Sequence, residues 1–297
     1  MKRIASLTLM LLTIAGCDKI GNPENPEQPG NEKMYIGKLE VKFPDNETIT
    51  DYSQVIRFSY NSQDQITGSQ WELKYHDISQ ENPEIYNYSE ISYRYLEDRI
   101  EANATYSYKG WEKIYDKITC TLNEKGLLDN YEIARHLTTQ EDPIREWIYA
   151  CSYEDEKVQK ISDNNGLERI FTWKGDALST IKIGNEKGRV KDEMLKYSNV
   201  VNNTNIDLNW LIANYYLNMD FISLRDAVFM NYLGHPYNTT LIEDCRQSLD
   251  EVDPSENAIS DIHFEYLIDE DGNISEITAT RTTEGKIQES RILITYI

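Results

Sequence analysis

The chain has 297 residues, with 30 Lys+Arg against 51 Asp+Glu, a formal charge of −21. So acidic a chain does not suit nucleic acid, whose phosphates call for a basic patch. A charged content of 27% excludes a multi-span helical membrane protein, and 21 Tyr exclude wholesale disorder.

Met1-Lys2-Arg3 is a short positive start, and the uncharged run of 12 residues from Ile4 to Ala15 follows it. That suits the apolar region of a signal peptide and falls short of the ~20 residues a spanning helix needs. Ile14-Ala15-Gly16-Cys17 resembles the lipobox of bacterial lipoproteins. The resemblance implies cleavage before Cys17 and lipidation of its sulfur and new amino group. Loss of Lys2 and Arg3 takes the formal charge from −21 to −23. A body this acidic does not hold an anionic membrane by its own surface, so the lipid is the expected membrane contact.

Residues 1–16 therefore read as a lipoprotein signal peptide and 17–33 as a lipid-anchored tether. The stretch Gly21-Asn22-Pro23-Glu24-Asn25-Pro26-Glu27-Gln28-Pro29-Gly30 has no apolar side chain besides its prolines. Residues 34–297 show no second linker and read as a single β-rich domain.

Within that domain the apolar residues alternate. Ile56, Phe58 and Tyr60 oppose Arg57 and Ser59. Ile118, Cys120 and Leu122 oppose Lys117, Thr119 and Thr121. Trp147, Tyr149, Cys151 and Tyr153 form a third stripe, Ile262, Phe264, Tyr266 and Ile268 a fourth, and Ile292, Ile294 and Tyr296 a last. Period-two patterning with one polar face predicts antiparallel sheet, buried on one side and wet on the other. Turn signals punctuate the stripes at Gly126, Gly166, Gly175, Gly188, Gly272 and Gly285.

The stripes also resemble one another. Phe58-Ser59-Tyr60, Cys120-Thr121-Leu122, Cys151-Ser152-Tyr153, Phe171-Thr172-Trp173, Leu195-Lys196-Tyr197 and Phe264-Glu265-Tyr266 share one pattern, and Tyr93-Arg94-Tyr95 fits it loosely. A repeated hairpin predicts a mostly β, antiparallel hairpin meander forming a curved or barrel-like sheet. Residues 206–233 break the pattern with helical spacing, Asp207 offering an N-cap. They are expected to be a small helical insert plugging one end of the sheet.

The lipobox, the tether, these hairpins and the segment Tyr197-Ser198 to Asn205-Ile206-Asp207-Leu208 resemble a family of Bacteroidota lipoproteins. That family carries a domain of unknown function with a porin-like fold. The resemblance spans roughly residues 50–297 and implies a cell-envelope location at the outer membrane, on its periplasmic or its surface side. It assigns no activity. Because one strand face is polar throughout, the sheet is expected to meet water rather than lipid.

Few chemical motifs stand out. Cys120 and Cys151 fill the repeat slot that Phe58, Phe171 and Phe264 fill elsewhere. They read as small buried hydrophobes, or as a disulfide if their strands are neighbours. His76, His136, His235 and His263 are scattered, and no nucleophile elbow, phosphate loop or zinc spacing occurs. Asp269-Glu270-Asp271-Gly272-Asn273 fails a calcium loop, with Leu267 and Thr278 at its first and twelfth positions, and reads as a turn. No catalytic residue, metal or cofactor is expected.

Tyr86, Tyr88, Tyr106, Tyr108 and Trp111 have polar neighbours and are the expected exposed contact surface. The first functional expectation is a non-catalytic, lipid-anchored envelope module that binds a glycan or an envelope or host protein. A carboxylate-based glycan hydrolase is the second. A structural partner of an outer-membrane complex is the third.

Overall fold

The computed structural model describes residues 34–297 other than 46–48, 80–83, 109–112, 140–141, 186–187, 217–226, 235–239, 249–257 and 284. The signal peptide, Cys17 and the tether thus lie outside the described residues, as do Trp111 and His235.

The strands are β1 (Ile36–Lys42), β2 (Ile49–Tyr60), β3 (Ile66–Asp77), β4 (Glu84–Tyr95), β5 (Arg99–Tyr108), β6 (Ile114–Leu122), β7 (Leu128–Leu137) and β8 (Arg145–Glu154). They continue as β9 (Lys157–Asp163), β10 (Leu167–Lys174), β11 (Ala177–Asn185), β12 (Gly188–Val201), β13 (Thr240–Ser248), β14 (Ala258–Ile268), β15 (Ile274–Thr283) and β16 (Lys286–Tyr296). Each pairs antiparallel with its chain neighbours, and β16 returns to β1 to close a barrel. The expected meander is therefore a full closure, which leaves no sheet edge unpaired. Helices α1 (Leu208–Tyr216) and α2 (Ala227–Met230) lie between β12 and β13.

Register sets the faces. Leu39 pairs with Ile56, Ile56 with Trp71, and Trp71 with Ser89, so these residues share the inner face. Inward side chains are mostly apolar and buried, among them Ile56, Ile91, Ile118, Tyr131, Ile161, Phe171, Ile181, Phe264 and Ile292. Most outward positions are charged or hydroxylated, with ion pairs such as Arg57–Glu72 at 2.9 Å, Lys160–Glu168 at 3.0 Å and Arg246–Asp261 at 2.8 Å, though Ile148, Ile170, Leu267 and Ile287 are exposed among them. Lys or Arg at a bilayer midplane costs about 2–4 kcal/mol, so a wall this rich in ions suits water.

The repeat has a structural cause. At one end of the barrel its aromatic third residue crosses to the neighbouring hairpin and donates to a main-chain carbonyl. Tyr60 reaches Ile36 O (2.7 Å), Tyr95 Ile66 O (2.9 Å), Tyr153 Leu128 O (2.8 Å), Tyr197 Leu178 O (2.8 Å) and Tyr296 Ile274 O (2.9 Å). Tyr266 makes the same bond to Ile242 O, and Trp173 uses its indole N–H on Val158 O at 2.8 Å. Each acceptor belongs to the first inward apolar residue of the preceding strand. The repeat's "aromatic, turn, Ile/Leu/Val" order is thus a latch and its catch. Leu122 carries no hydroxyl, and beside it Leu128 N donates instead to Tyr232 O of the helical insert at 2.7 Å.

Four loops are built alike. Asn61, Asn123, Asp163 and Asp269 each accept from the amides two and four residues on. The fourth residue of each has positive φ: Asp64, Gly126, Gly166 and Gly272. Asp269 is therefore committed to a turn.

Candidate functional site

A circular barrel of sixteen strands leaves an aqueous channel in porins. Here the lumen is filled from the latched end. Asp207 Oδ1 accepts from Asn209 N (3.0 Å) and Trp210 N (3.1 Å), capping α1 as its sequence predicts. Leu208, Trp210, Leu211 and Ile212 of α1, with Val228 and Phe229 of α2, are buried. Phe229 meets Tyr93 and Tyr131 edge-on at 5.8 and 5.0 Å, and Trp210 meets Phe171 at 5.6 Å. The Asn209 amide fastens the insert to β13, donating to Thr240 O and accepting from Ile242 N, each at 2.9 Å. The insert is a plug, and the barrel is blind at this end.

Above the plug the inward side chains become polar. Ser69, Ser89, Asp116, Arg169, Glu193, Gln247 and Ser260 are all buried. Ser260 Oγ donates to Gln247 Oε1 (2.9 Å), and Gln247 Nε2 to Glu193 Oε1 (3.3 Å). Arg135 grips Asp116 with Nε and Nη2, both at 2.9 Å. Asp116 is 2% exposed, so this bidentate pair is a buried charge with its partner supplied.

From mid-barrel to the end away from the latches, half-buried aromatics point inward: Phe43, Tyr52, Trp71, Tyr75 and Trp147. Tyr52 stacks on Phe43 at 4.2 Å and meets Tyr75 edge-on at 5.6 Å. Gln54 accepts from Trp71 Nε1 (3.3 Å) and donates to the Tyr52 hydroxyl (3.2 Å), fixing both rings. Across the mouth Trp147 has Arg145 at 4.5 Å and Arg135 at 5.0 Å, and Arg135 also lies 5.4 Å from the Tyr106 ring. These residues set flat apolar faces beside fixed amides and guanidiniums.

The aromatics expected to form one exposed surface are divided between the two faces. Tyr86 and Tyr88 point outward on β4, Tyr86 with Lys74 Nζ 5.4 Å from its ring. Tyr106 is corrected: it faces inward and is 3% exposed, because it pairs with buried Ser89. Tyr108 pairs in register with Asn87. Both faces of these strands carry polar neighbours, so sequence polarity does not reveal which side is in. Trp71, Trp147 and Arg135 were missed as site residues because their apolar stripe reads as core. For Trp147 and Arg135 the usable signal is a place near the strand ends away from the latches, and mid-strand Trp71 gives no such signal.

Cys120 and Cys151 point inward from β6 and β8, with β7 between them, and both thiols are free. Alternate strands lie roughly 9.6 Å apart, beyond the 7 Å Cα limit for a disulfide. Burial pushes both thiols up, Cys151 to about 12. Cys120 is a buried hydrophobe, as its repeat slot implies.

No family model matches the chain, and no curated protein matches it. Solved structures do, among them the following two. A porin-like protein from Bacteroides uniformis superposes with a TM-score of 0.58 at 14% identity, covering 89% of this chain and 99% of that one. A porin-like protein from Bacteroides vulgatus gives 0.54 at 15% identity, again over 89% and 99%. At such identities the likeness is one of fold, and the chain shares the porin-like barrel of these proteins.

Proposed function

We propose that this chain is a lipid-anchored protein of the cell envelope whose plugged, water-facing barrel binds a glycan at its aromatic mouth. Residues 1–16 serve as the signal peptide, Cys17 carries the lipid, and 17–33 stand the 34–297 body off the membrane. The observation that carries the reading is the inverted barrel: charge outside, apolar core and plug inside, and half-buried aromatics with arginines at the open end. A blind barrel with a wet wall does not conduct, so its mouth is left as a receptacle.

A protein ligand is the second reading, favoured by exposed Tyr86 beside Lys74 on the outer wall.

Protease shaving of intact cells tests the placement, with Cys17→Ala as control. Membrane-bound wild type and released Cys17→Ala protein are expected. Equal membrane association of both would remove the anchor from the account. Digestion without lysis would assign the body to the cell surface, and digestion only after lysis to the periplasm.

A further inference from the structure

The outer wall over β12–β15 carries a second feature, remote from the mouth in both face and residues. Lys196 pairs in register with Asp244, Asp244 with His263, and His263 with Thr280. Alternation sets all four on the outer face, in one row across four strands. The adjacent row is Met194, Arg246, Asp261 and Thr282. The two rows line a groove of about 460 Å³, within the range of small-ligand clefts.

The row is chemically ordered. His263 Nδ1 lies 2.7 Å from Asp244 Oδ1, and Lys196 Nζ lies 2.9 Å from Asp244 Oδ2 and 2.7 Å from Glu243. Partial burial alone would raise the Asp244 carboxyl, but bonds from His263 and Lys196 outweigh it and hold the carboxyl below its usual range. An anionic Asp244 accepts a hydrogen bond from Nδ1–H, which leaves the lone pair on Nε2. Among the described residues Nε2 has no other partner, and His263 is 48% exposed. Arg246 commits Nε to Asp261 at 2.8 Å and keeps its terminal Nη donors. A base, a group that orients it and a free cationic donor thus share one groove.

We propose that this groove hydrolyses small carboxylic esters, with His263 as general base, Asp244 as its positioning residue and Arg246 as donor to the oxyanion. Water attacks the acyl carbon as Nε2 takes its proton. A new C–O bond forms, and the carbonyl electron pair moves to the oxygen facing Arg246. Collapse of this intermediate breaks the ester C–O bond. The departing alkoxide takes the proton back from Nε2, giving one acid and one alcohol.

Initial rates of p-nitrophenyl acetate hydrolysis by the full-length protein test this. Saturable turnover is expected. His263→Gln is expected to lose about 100-fold or more, the usual share of a general base. Asp244→Asn is expected to lose about tenfold in kcat with KM little changed, the mark of a residue that positions the base. Arg246→Gln is expected to lower kcat with KM little changed, and His76→Gln to leave the rate as it was. Rates linear in substrate, or a His263→Gln rate equal to wild type, would overturn the proposal. Either result would leave the glycan reading of the mouth untouched.

Discussion

The Tyr60 hydroxyl donates to the Ile36 carbonyl at 2.7 Å and accepts from the Asn205 amide at 2.8 Å, while Asn205 Oδ1 accepts from Ile36 N at 2.9 Å. Three residues separated by up to 169 positions thus close one triangle between a barrel seam and the plug. Tyr60→Phe removes two of its bonds and leaves two polar groups short of partners. A loss of about 1–3 kcal/mol is expected in denaturant unfolding. Tyr60→Phe and Asn205→Ala share partners, so their double mutant should cost less than the sum of the singles. Strict additivity would mean that the triangle is not a unit.

The latches also set an alkaline limit. Burial raises the phenols of Tyr60 and Tyr296 to about 12, and pushes those of Tyr95 and Tyr197 up as well. A folded pKa above the unfolded value of 10 stabilises the fold fully below pH 10. That stability is lost as pH rises through the folded values. Tyrosinate absorbance and loss of β circular dichroism are therefore expected to rise together between about pH 10 and 12. An alkaline unfolding midpoint that is the same in Tyr60→Phe and Tyr296→Phe as in the wild type would contradict this.

The β8–β9 turn holds Asp155 and Glu156 at φ of 50° and 65°. Asp tolerates this region, whereas Glu has no local bond to favour it. Glu156→Gly should stabilise the protein by about 1 kcal/mol. It forfeits only the exposed Lys125 ion pair, which is 61% and 51% exposed on its two partners. Thermal melts check this, and a lower Tm would contradict it.

Cys120 and Cys245 are buried and Cys151 is half-buried, all as free thiols. Native protein at neutral pH should react slowly with a thiol reagent, and denatured protein quickly at all three sites. A Cys120–Cys151 bridge found by non-reducing peptide mapping would contradict the strand order.

Much of this architecture is legible in the sequence, because period-two stripes report a face whatever lies across from it. Cys120-Thr121-Leu122 and Phe264-Glu265-Tyr266 fall on the expected sides for that reason. The repeat is legible as a pattern, but its meaning is not, since Tyr95 and its catch at Ile66 are 29 residues apart. Ile268 leaves its stripe because the β14–β15 register shifts just before it, and it is 41% exposed. Parity alone puts Tyr106 and Tyr108 on one face but does not say which. The groove was illegible for a related reason, as Asp244 meets His263 only once β13 and β14 are in register.

The most direct test of the mouth is a glycan array probed with the full-length protein, its Trp71→Ala/Trp147→Ala variant and its Tyr86→Ala/Tyr88→Ala variant. Saccharide signals that vanish in the tryptophan pair and persist in the outer tyrosine pair are the expected result. Signals that persist without the tryptophans, or no saccharide signal from the wild type, would contradict a glycan-binding mouth.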